Sequence, residues 1–343
     1  MTPPRRLTQQ DIARMAGVSQ TTVSMVLNNR TDTEVRISPE TRERVLRVIR
    51  ETGYIADPAA RRLAERRNRI IGVFTYEAVF PSASADFYHP FLLGIEERAE
   101  DAGCDLLLFT SAKAASGEQR RIFNADSRIR LADGCLLLGR TVDRDDLARL
   151  LAEGFPFVSI GRRDDAGGPV PYVGVDYPPA VRALVERVTA LGHTRLAYVG
   201  AGEGGESRTD RMRGFRDAAG PRALHLPVGA GDHAAILDEL SAADVTAVFV
   251  EEPADGTALA EAAKARGLSI PDDLSILVLG APDWKPGDRG PGFTGFRIPR
   301  REIGWRAVEL LTDVLERGGM PQELLPCEPV EGTTLAAPRN RKA

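Results

Sequence analysis

Thr8 to Asn28 reads TQQDIARMAGVSQTTVSMVLN, and two helix starts follow each other within it. Thr8 stands three places before Asp11, close to the capping-box pattern, so a helix is expected to begin there. Ile12, Ala13 and Ala16 recur at helical spacing and give that helix one apolar face. Gly17 ends it, and Val18 returns the chain to the core. Ser19 is a second N-cap, followed by a short helix in which Val23, Val26 and Leu27 can face inward. Two short helices joined by a Gly-containing turn make a helix-turn-helix unit, whose second helix can lie in the major groove of DNA. With the apolar positions committed to the core, Gln20, Thr21, Ser24 and Met25 are left for base edges, and Thr22 and Asn28 for phosphates. The bland alternative is an ordinary helical hairpin in a core.

Charge supports the first reading. Residues 1–69 hold 14 Arg, no Lys and 8 acidic residues, a balance of +6, whereas the remainder holds 31 basic and 41 acidic residues. A basic first segment on an acidic body suits local attraction to phosphate. A chain of 343 residues with 43% hydrophobic content has room for two or three domains with a good core. No apolar run approaches the ~20 residues of a membrane span. MTPPRRLTQQ has no apolar h-region, so a secretory signal is not expected. Cys104, Cys135 and Cys327 lie far apart without metal or redox spacing, as suits a reducing cytoplasm.

The pattern of residues 11–28 resembles the headpiece of the lactose-repressor and purine-repressor family of bacterial transcription regulators. The likeness continues through Ile37-Ser38-Pro39-Glu40-Thr41-Arg42-Glu43-Arg44-Val45, Glu51-Thr52-Gly53-Tyr54 and Ala59-Ala60-Arg61-Arg62-Leu63-Ala64, and covers the rest more loosely. It implies a headpiece over 1–56, a hinge over 57–68 and an effector-binding and dimerisation domain over 69–340. Thr8, Ser19, Gln20, Thr21, Thr22, Ser24, Met25, Asn28, Tyr54, Arg61 and Leu63 form the expected DNA-binding set. Ser38-Pro39 starts a third helix, with Val45, Val48 and Ile49 inward and Gly53 as its stop. The stretch Asn29–Arg36 is slightly longer than the family's usual phosphate-contacting loop.

Asp57-Pro58 begins a hinge-helix candidate too short and too charged to be stable alone, since isolated helices under ~12 residues are marginal in water. The resemblance implies that it folds on operator DNA, where Leu63 occupies the place of the wedge leucine that opens a central base step in the minor groove. Its Pro stands a place or two later than in most members. A plain charged linker with one buried Leu is the alternative.

From Ile70 the pattern changes to strands alternating with helices. Strands are expected at Ile70–Thr75, Asp105–Thr110, Gly134–Leu138 and Phe157–Ile160, with helices around Pro90–Ala102, Glu118–Ile129 and Asp143–Ala152. A second cycle places strands at Arg195–Val199, Leu224–Val228, Ala247–Val250 and Ser275–Leu279, with helices near Pro178–Leu191, Thr209–Ala219, Ala234–Leu240 and Gly256–Arg266. Phe293–Arg297 and a helix over Arg300–Arg317 follow. The expected fold is an all-α helix-turn-helix headpiece plus an α/β periplasmic-binding-protein-like domain of two doubly wound parallel-sheet lobes. The first lobe is placed at about 69–176 and 297–323, the second at about 177–296 and 324–340.

Arg211-Met212-Arg213-Gly214-Phe215 matches the family's R-x-x-G-F, in which the Arg forks onto ligand oxygens. A guanidinium suits that work because it carries five fixed donors. A surface Arg is the alternative. Asp176 matches the family's V-x-x-D at the lobe junction and is either a hydroxyl acceptor or an N-cap. Phe87, Tyr88 and Phe91 could stack on a ligand ring or simply pack in the core. Two departures stand out. The acidic residue usual after the strand at Ser275–Leu279 is replaced by Ala281-Pro282-Asp283-Trp284, where Asp283 and Trp284 are the candidates. The usual Asn-Asp pair after Ala247–Val250 appears as Glu251-Glu252-Pro253, with Glu252 as candidate.

Gly200-Ala201-Gly202-Glu203-Gly204-Gly205 contains G-x-G-x-x-G after a strand. Leu224-His225-Leu226-Pro227-Val228 lacks the acidic residue that a ribose would need, so a cleft loop explains the glycines better than dinucleotide binding. The four histidines show no metal spacing, and His193, at a helix end, is read as answering the dipole. No catalytic set, metal or cofactor is expected. The expected partners are palindromic operator duplex, a small-molecule effector of carbohydrate class and a second copy of the chain, in the cytoplasm on the nucleoid. Thr333–Ala343 lacks leucine heptads, so a coiled-coil tetramer is not indicated. A cytoplasmic sugar- or nucleoside-processing enzyme with an accessory DNA-binding headpiece is the alternative function.

Overall fold

The computed structural model describes residues 7–27, 37–54, 68–77, 82–110, 120–123, 127–228, 233–281 and 292–339. The chain divides into two units, residues 1–68 and 69–343. In the first, α1 (Gln9–Ala16), α2 (Gln20–Leu27) and α3 (Pro39–Thr52) close around one small core. Thr8 Oγ1 accepts from the Asp11 N–H at 3.3 Å, and Asp11 Oδ2 accepts from the Thr8 N–H at 2.9 Å, completing the expected capping box. Gly17 takes φ 64°, the left-handed conformation that lets its N–H answer the last carbonyls of α1. Ser19 Oγ accepts from Thr22 N–H at 3.1 Å, and Ser38 Oγ from Thr41 N–H at 3.2 Å. Ile12, Ala13, Ala16, Val23, Val26 and Val45 are buried, and Val18, Leu27, Val48 and Ile49 pack on them half-buried. Arg44 Nε donates to Ala16 O at 2.9 Å and ties α3 to the end of α1.

The second unit carries two sheets. The first is built from β1 (Ile70–Thr75), β2 (Asp105–Phe109), β3 (Gly134–Leu138), β4 (Phe157–Ile160), β5 (Tyr172–Val175) and β11 (Gln322–Leu325), in the order β11-β5-β4-β3-β1-β2. The second holds β6 (Leu196–Val199), β7 (Leu224–Leu226), β8 (Ala247–Val250), β9 (Ser275–Ala281), β10 (Thr294–Arg297) and β12 (Glu328–Val330), in the order β12-β10-β9-β8-β6-β7. The pairings are parallel apart from β12, which runs antiparallel to β10. The chain therefore passes from sheet to sheet three times: after β5, after β10 and after β11. The central strands are buried apolar runs, as parallel sheets covered on both faces require.

The helices of this unit are α4 (Ser82–Asp101), α5 (Arg144–Ala152), α6 (Tyr177–Ala190), α7 (Glu206–Ala219), α8 (His233–Ala242), α9 (Pro253–Ala265) and α10 (Arg300–Arg317). Helix α10 packs on α4 through Gly94 and Gly304; a Cβ on Gly304 would run into the Phe91 carbonyl, and one on Gly94 into that of Arg301. This close approach brings the start of α10 beside Phe87 and Phe91.

Three expectations are corrected. Helix α4 starts at Ser82, well before Pro90, because a proline forfeits only one helical hydrogen bond and can sit inside a long helix docked on a sheet. The helix expected at Glu118–Ile129 is absent at its described residues: Arg120–Phe123 is irregular, and a short 3₁₀ turn covers Ile129–Leu131. His193 does not answer a helix dipole as a cation. It is buried, with Nδ1 2.8 Å from Thr246 Oγ1 and Nε2 2.7 Å from Ala336 O, and burial holds its pKa below the usual 6.5.

Candidate functional site

The first candidate surface is α2. Gln20 and Thr21 are exposed, and Ser24 and Met25 half-buried, at the i, i+1, i+4, i+5 spacing of one helical face. Val23 and Val26 hold the opposite face in the core, so the helix cannot rotate without losing that burial. Gln20 Nε2 reaches Gln9 Oε1 at 3.4 Å. The Ser19 and Thr22 hydroxyls lie 2.8 Å apart, at the positive end of α2. Thr8 is exposed at the start of α1. Tyr54 packs half-buried against the headpiece core. Asn28, Arg61 and Leu63 lie outside the described residues.

The second is a cavity of about 330 Å³ in the second unit. It is lined by residues at or just past the carboxyl ends of β1, β3, β4, β5, β6, β8, β9 and β10, the place where doubly wound sheets bind ligands. Phe87, Phe91, Arg211 and Glu252, expected from the sequence, line it. Tyr88 instead belongs to the core, 2% exposed, and Asp176 precedes α6 without capping it through its side chain; neither reaches the lining. Asp283 and Trp284 lie outside the described residues.

Arg211 is 7% exposed. Its Nη1 donates to Glu251 O at 2.9 Å and Leu279 O at 2.8 Å, its Nε donates to Ser207 O at 3.2 Å, and its guanidinium lies 5.0 Å from the Tyr177 ring centre. Burial opposes its charge, but facing Tyr177, Tyr198 and Glu251 outweigh that and move the pKa up, so it stays a cation. Three fixed donors leave Nη2 for the cavity. Glu251, which the sequence reading passed over, is fully buried: Oε2 accepts from the Gly202 N–H at 2.8 Å and from the Tyr198 hydroxyl at 3.2 Å. Arg208 Nε lies 2.8 Å from Glu251 Oε1, ion-pair distance, but off the line a hydrogen bond needs. The first glycine of the loop makes room for this carboxylate, since a Cβ on Gly200 would collide with the Glu251 side chain.

Sequence reasoning also missed Arg140, Arg162, Arg163, Arg208, Asp210 and Arg300, all of them lining residues. A signal for three of them was available. Arg140, and the pair Arg162-Arg163, each follow a buried strand and a single glycine, which is where the strand-end rule puts ligand-facing side chains. Arg162 forks onto Asp210 with Nε–Oδ2 2.6 Å and Nη2–Oδ1 3.1 Å. Arg163 Nη1 donates to Glu206 Oε2 at 3.1 Å. The Arg140 and Arg300 guanidinium groups lie 4.6 and 5.3 Å from the centre of the Phe87 ring.

Residues 8–57 match the lacI family of bacterial regulatory proteins, and residues 185–335 a periplasmic binding protein-like domain. The HTH-type transcriptional regulator CelR of Thermobifida fusca is 31% identical over 325 residues, 90% of this chain and 92% of its own length. The regulator AglR of Rhizobium meliloti is 29% identical over 92% of this chain and 90% of its own. Among solved structures, the lac repressor dimer bound to operator and the anti-inducer ONPF has a TM-score of 0.74 at 22% identity, over 97% of this chain and 100% of that one. The complex of the regulator CelR with cellobiose has a TM-score of 0.61 at 25% identity, over 96% of this chain and 100% of that one. With a helix-turn-helix headpiece followed in the chain by a two-sheet unit, and likeness to these regulators along nearly its whole length, the chain belongs to the lacI family of bacterial regulatory proteins.

Proposed function

We propose that the protein is a ligand-gated transcriptional repressor that binds a palindromic operator as a homodimer in the cytoplasm. The observation that carries the DNA half is the α2 face, where Gln20, Thr21, Ser24 and Met25 stand outward on a helix locked by Val23 and Val26. In this reading those residues meet base edges. Thr8, Ser19, Thr22, Asn28 and Tyr54 meet the backbone, and Arg61 and Leu63 act from the hinge in the minor groove. Two headpieces match two half-sites one helical turn apart.

The gate is the cavity. A polyhydroxylated ligand finds a fixed donor in Arg211 Nη2, an acceptor in the half-buried Glu252, and ring faces at Phe87 and Phe91, with Asp283 and Trp284 assigned to the same site. Carbohydrate is the class favoured, and the CelR–cellobiose complex, a relative's, supports it. The chain carries out no turnover in this reading: purified protein incubated with sugars or nucleosides returns them unchanged. The test is genome-wide binding of the tagged protein, followed by titration of the recovered fragments with purified protein. Preference for a palindrome, altered by a sugar from the pathway encoded beside it, is expected. No preference for any palindromic fragment over random duplex would overturn the reading.

A further inference from the structure

We infer that the two lobes are joined across the cavity by a breakable set of ion pairs supplied by the chain itself, with Arg162–Asp210 at its centre. The inference rests on the ligand-gated reading and concerns how that gate is set. Arg162 follows β4 in the first lobe, and Asp210 stands on α7 in the second. Their fork uses both carboxylate oxygens. Beside it, Glu206 of α7 takes Arg163 Nη1 at 3.1 Å and the Asp164 N–H at 3.4 Å. Further along, Arg140 Nη1, past β3, is 3.8 Å from Glu252 Oε1, past β8. Each of these contacts crosses from one lobe to the other.

What makes the set a latch rather than a weld is that the groups of the central fork, with Arg163 and Glu252, keep partners at home. Asp210, 2% exposed, also meets Arg213 of its own helix, Nη2–Oδ1 3.1 Å. Arg162 also holds Asp164, Nη1–Oδ1 2.6 Å. Arg163 donates to Gly139 O and Ile160 O in the first lobe, and Glu252 has Arg208, Nη2–Oε1 3.7 Å, in the second. A buried carboxylate stripped of its only partner carries a heavy penalty. Here, opening leaves Asp210, Arg162, Arg163 and Glu252 each with a partner, leaves the part-exposed Glu206 to solvent, and lets water into the cleft to rehydrate both sides of the fork. The open and closed arrangements are thereby drawn close in free energy. That is the condition under which a small ligand shifts the balance through its differential affinity.

The latch thus closes the cleft without a ligand, and Arg162 and Asp210 are positioning residues for the gate. Hydrogen exchange of the full-length protein without ligand tests this, reading residues 159–166 of the first lobe and 203–211 of the second in the wild type, Asp210→Asn, Arg162→Gln and the double variant. Arg162 lies at the cavity wall, so Arg162→Gln keeps the assay informative should Asp210→Asn fold poorly. The expected result is about tenfold faster exchange in both segments for either single variant, the scale of one charge-assisted hydrogen bond, with the double variant no faster and residues 247–250 unchanged. Acceleration confined to the substituted lobe, or additive effects, would overturn the latch. A wild type with the expected exchange pattern but no palindrome preference would overturn the functional reading instead.

Discussion

At the scale of single residues, the two sites make different demands. Met25 has no fork for guanine but can meet a thymine methyl. Met25→Arg is expected to move one operator position towards G, read by selection from a randomised duplex library; an unchanged profile refutes its place at a base edge. Arg211 is held by three carbonyl contacts that a lysine cannot reproduce. Arg211→Lys is expected to abolish the ligand response while operator binding persists, and to cost roughly 2–4 kcal/mol in denaturant unfolding because buried carbonyls lose their donor. Arg211 was legible because R-x-x-G-F is a contiguous signature. Asp210, its neighbour, was not, since one carboxylate on a charged helix looks solvated until the partner lobe brings Arg162 over it. Glu251 was hidden in the same way: only the tight turn at Gly200 shows that it is fully buried.

At the scale of elements, local chemistry carried far. Ser38, Pro39 and Gly53 bounded α3 correctly, and largely apolar runs marked β1, β3, β4 and β8. Ser38→Ala is expected to lower headpiece stability by about 1 kcal/mol in thermal unfolding. The misses have physical reasons. β11 and β12 are short and largely exposed, so they carry no apolar run. The His193 link to the Ala336 carbonyl gives a pH prediction. Its pKa is lower folded than unfolded, so protonation favours the unfolded chain. Its contribution is complete above about pH 6.5 and is lost as pH falls towards the lowered folded value. The melting temperature should therefore drop between pH 7.5 and 5.5, and His193→Gln should flatten that slope. Equal slopes in both proteins would exclude His193 as the cause.

At the scale of the whole molecule, one headpiece offers a single short helix, and affinity for a full operator must come from two. A duplex carrying one half-site is expected to bind at least ~100-fold more weakly than the palindrome in mobility-shift titrations, the gain that a linked second contact provides. Comparable affinities would remove the homodimer from the mechanism. The alternation of strands and helices announced two lobes, and the lobe bounds expected from the resemblance already returned residues 297–323 to the first; the strand β11 that makes the return in the sheet carried no signal of its own. That triple passage has an outcome for the history and handling of the protein. Neither lobe is one contiguous length of chain, so neither can be cloned, swapped or lost as a single segment. New ligand specificities must arise by substitution within the cassette of residues 69–339 or by exchanging it entire. A protease nick between the lobes should leave the fragments associated through strands that each has lent the other.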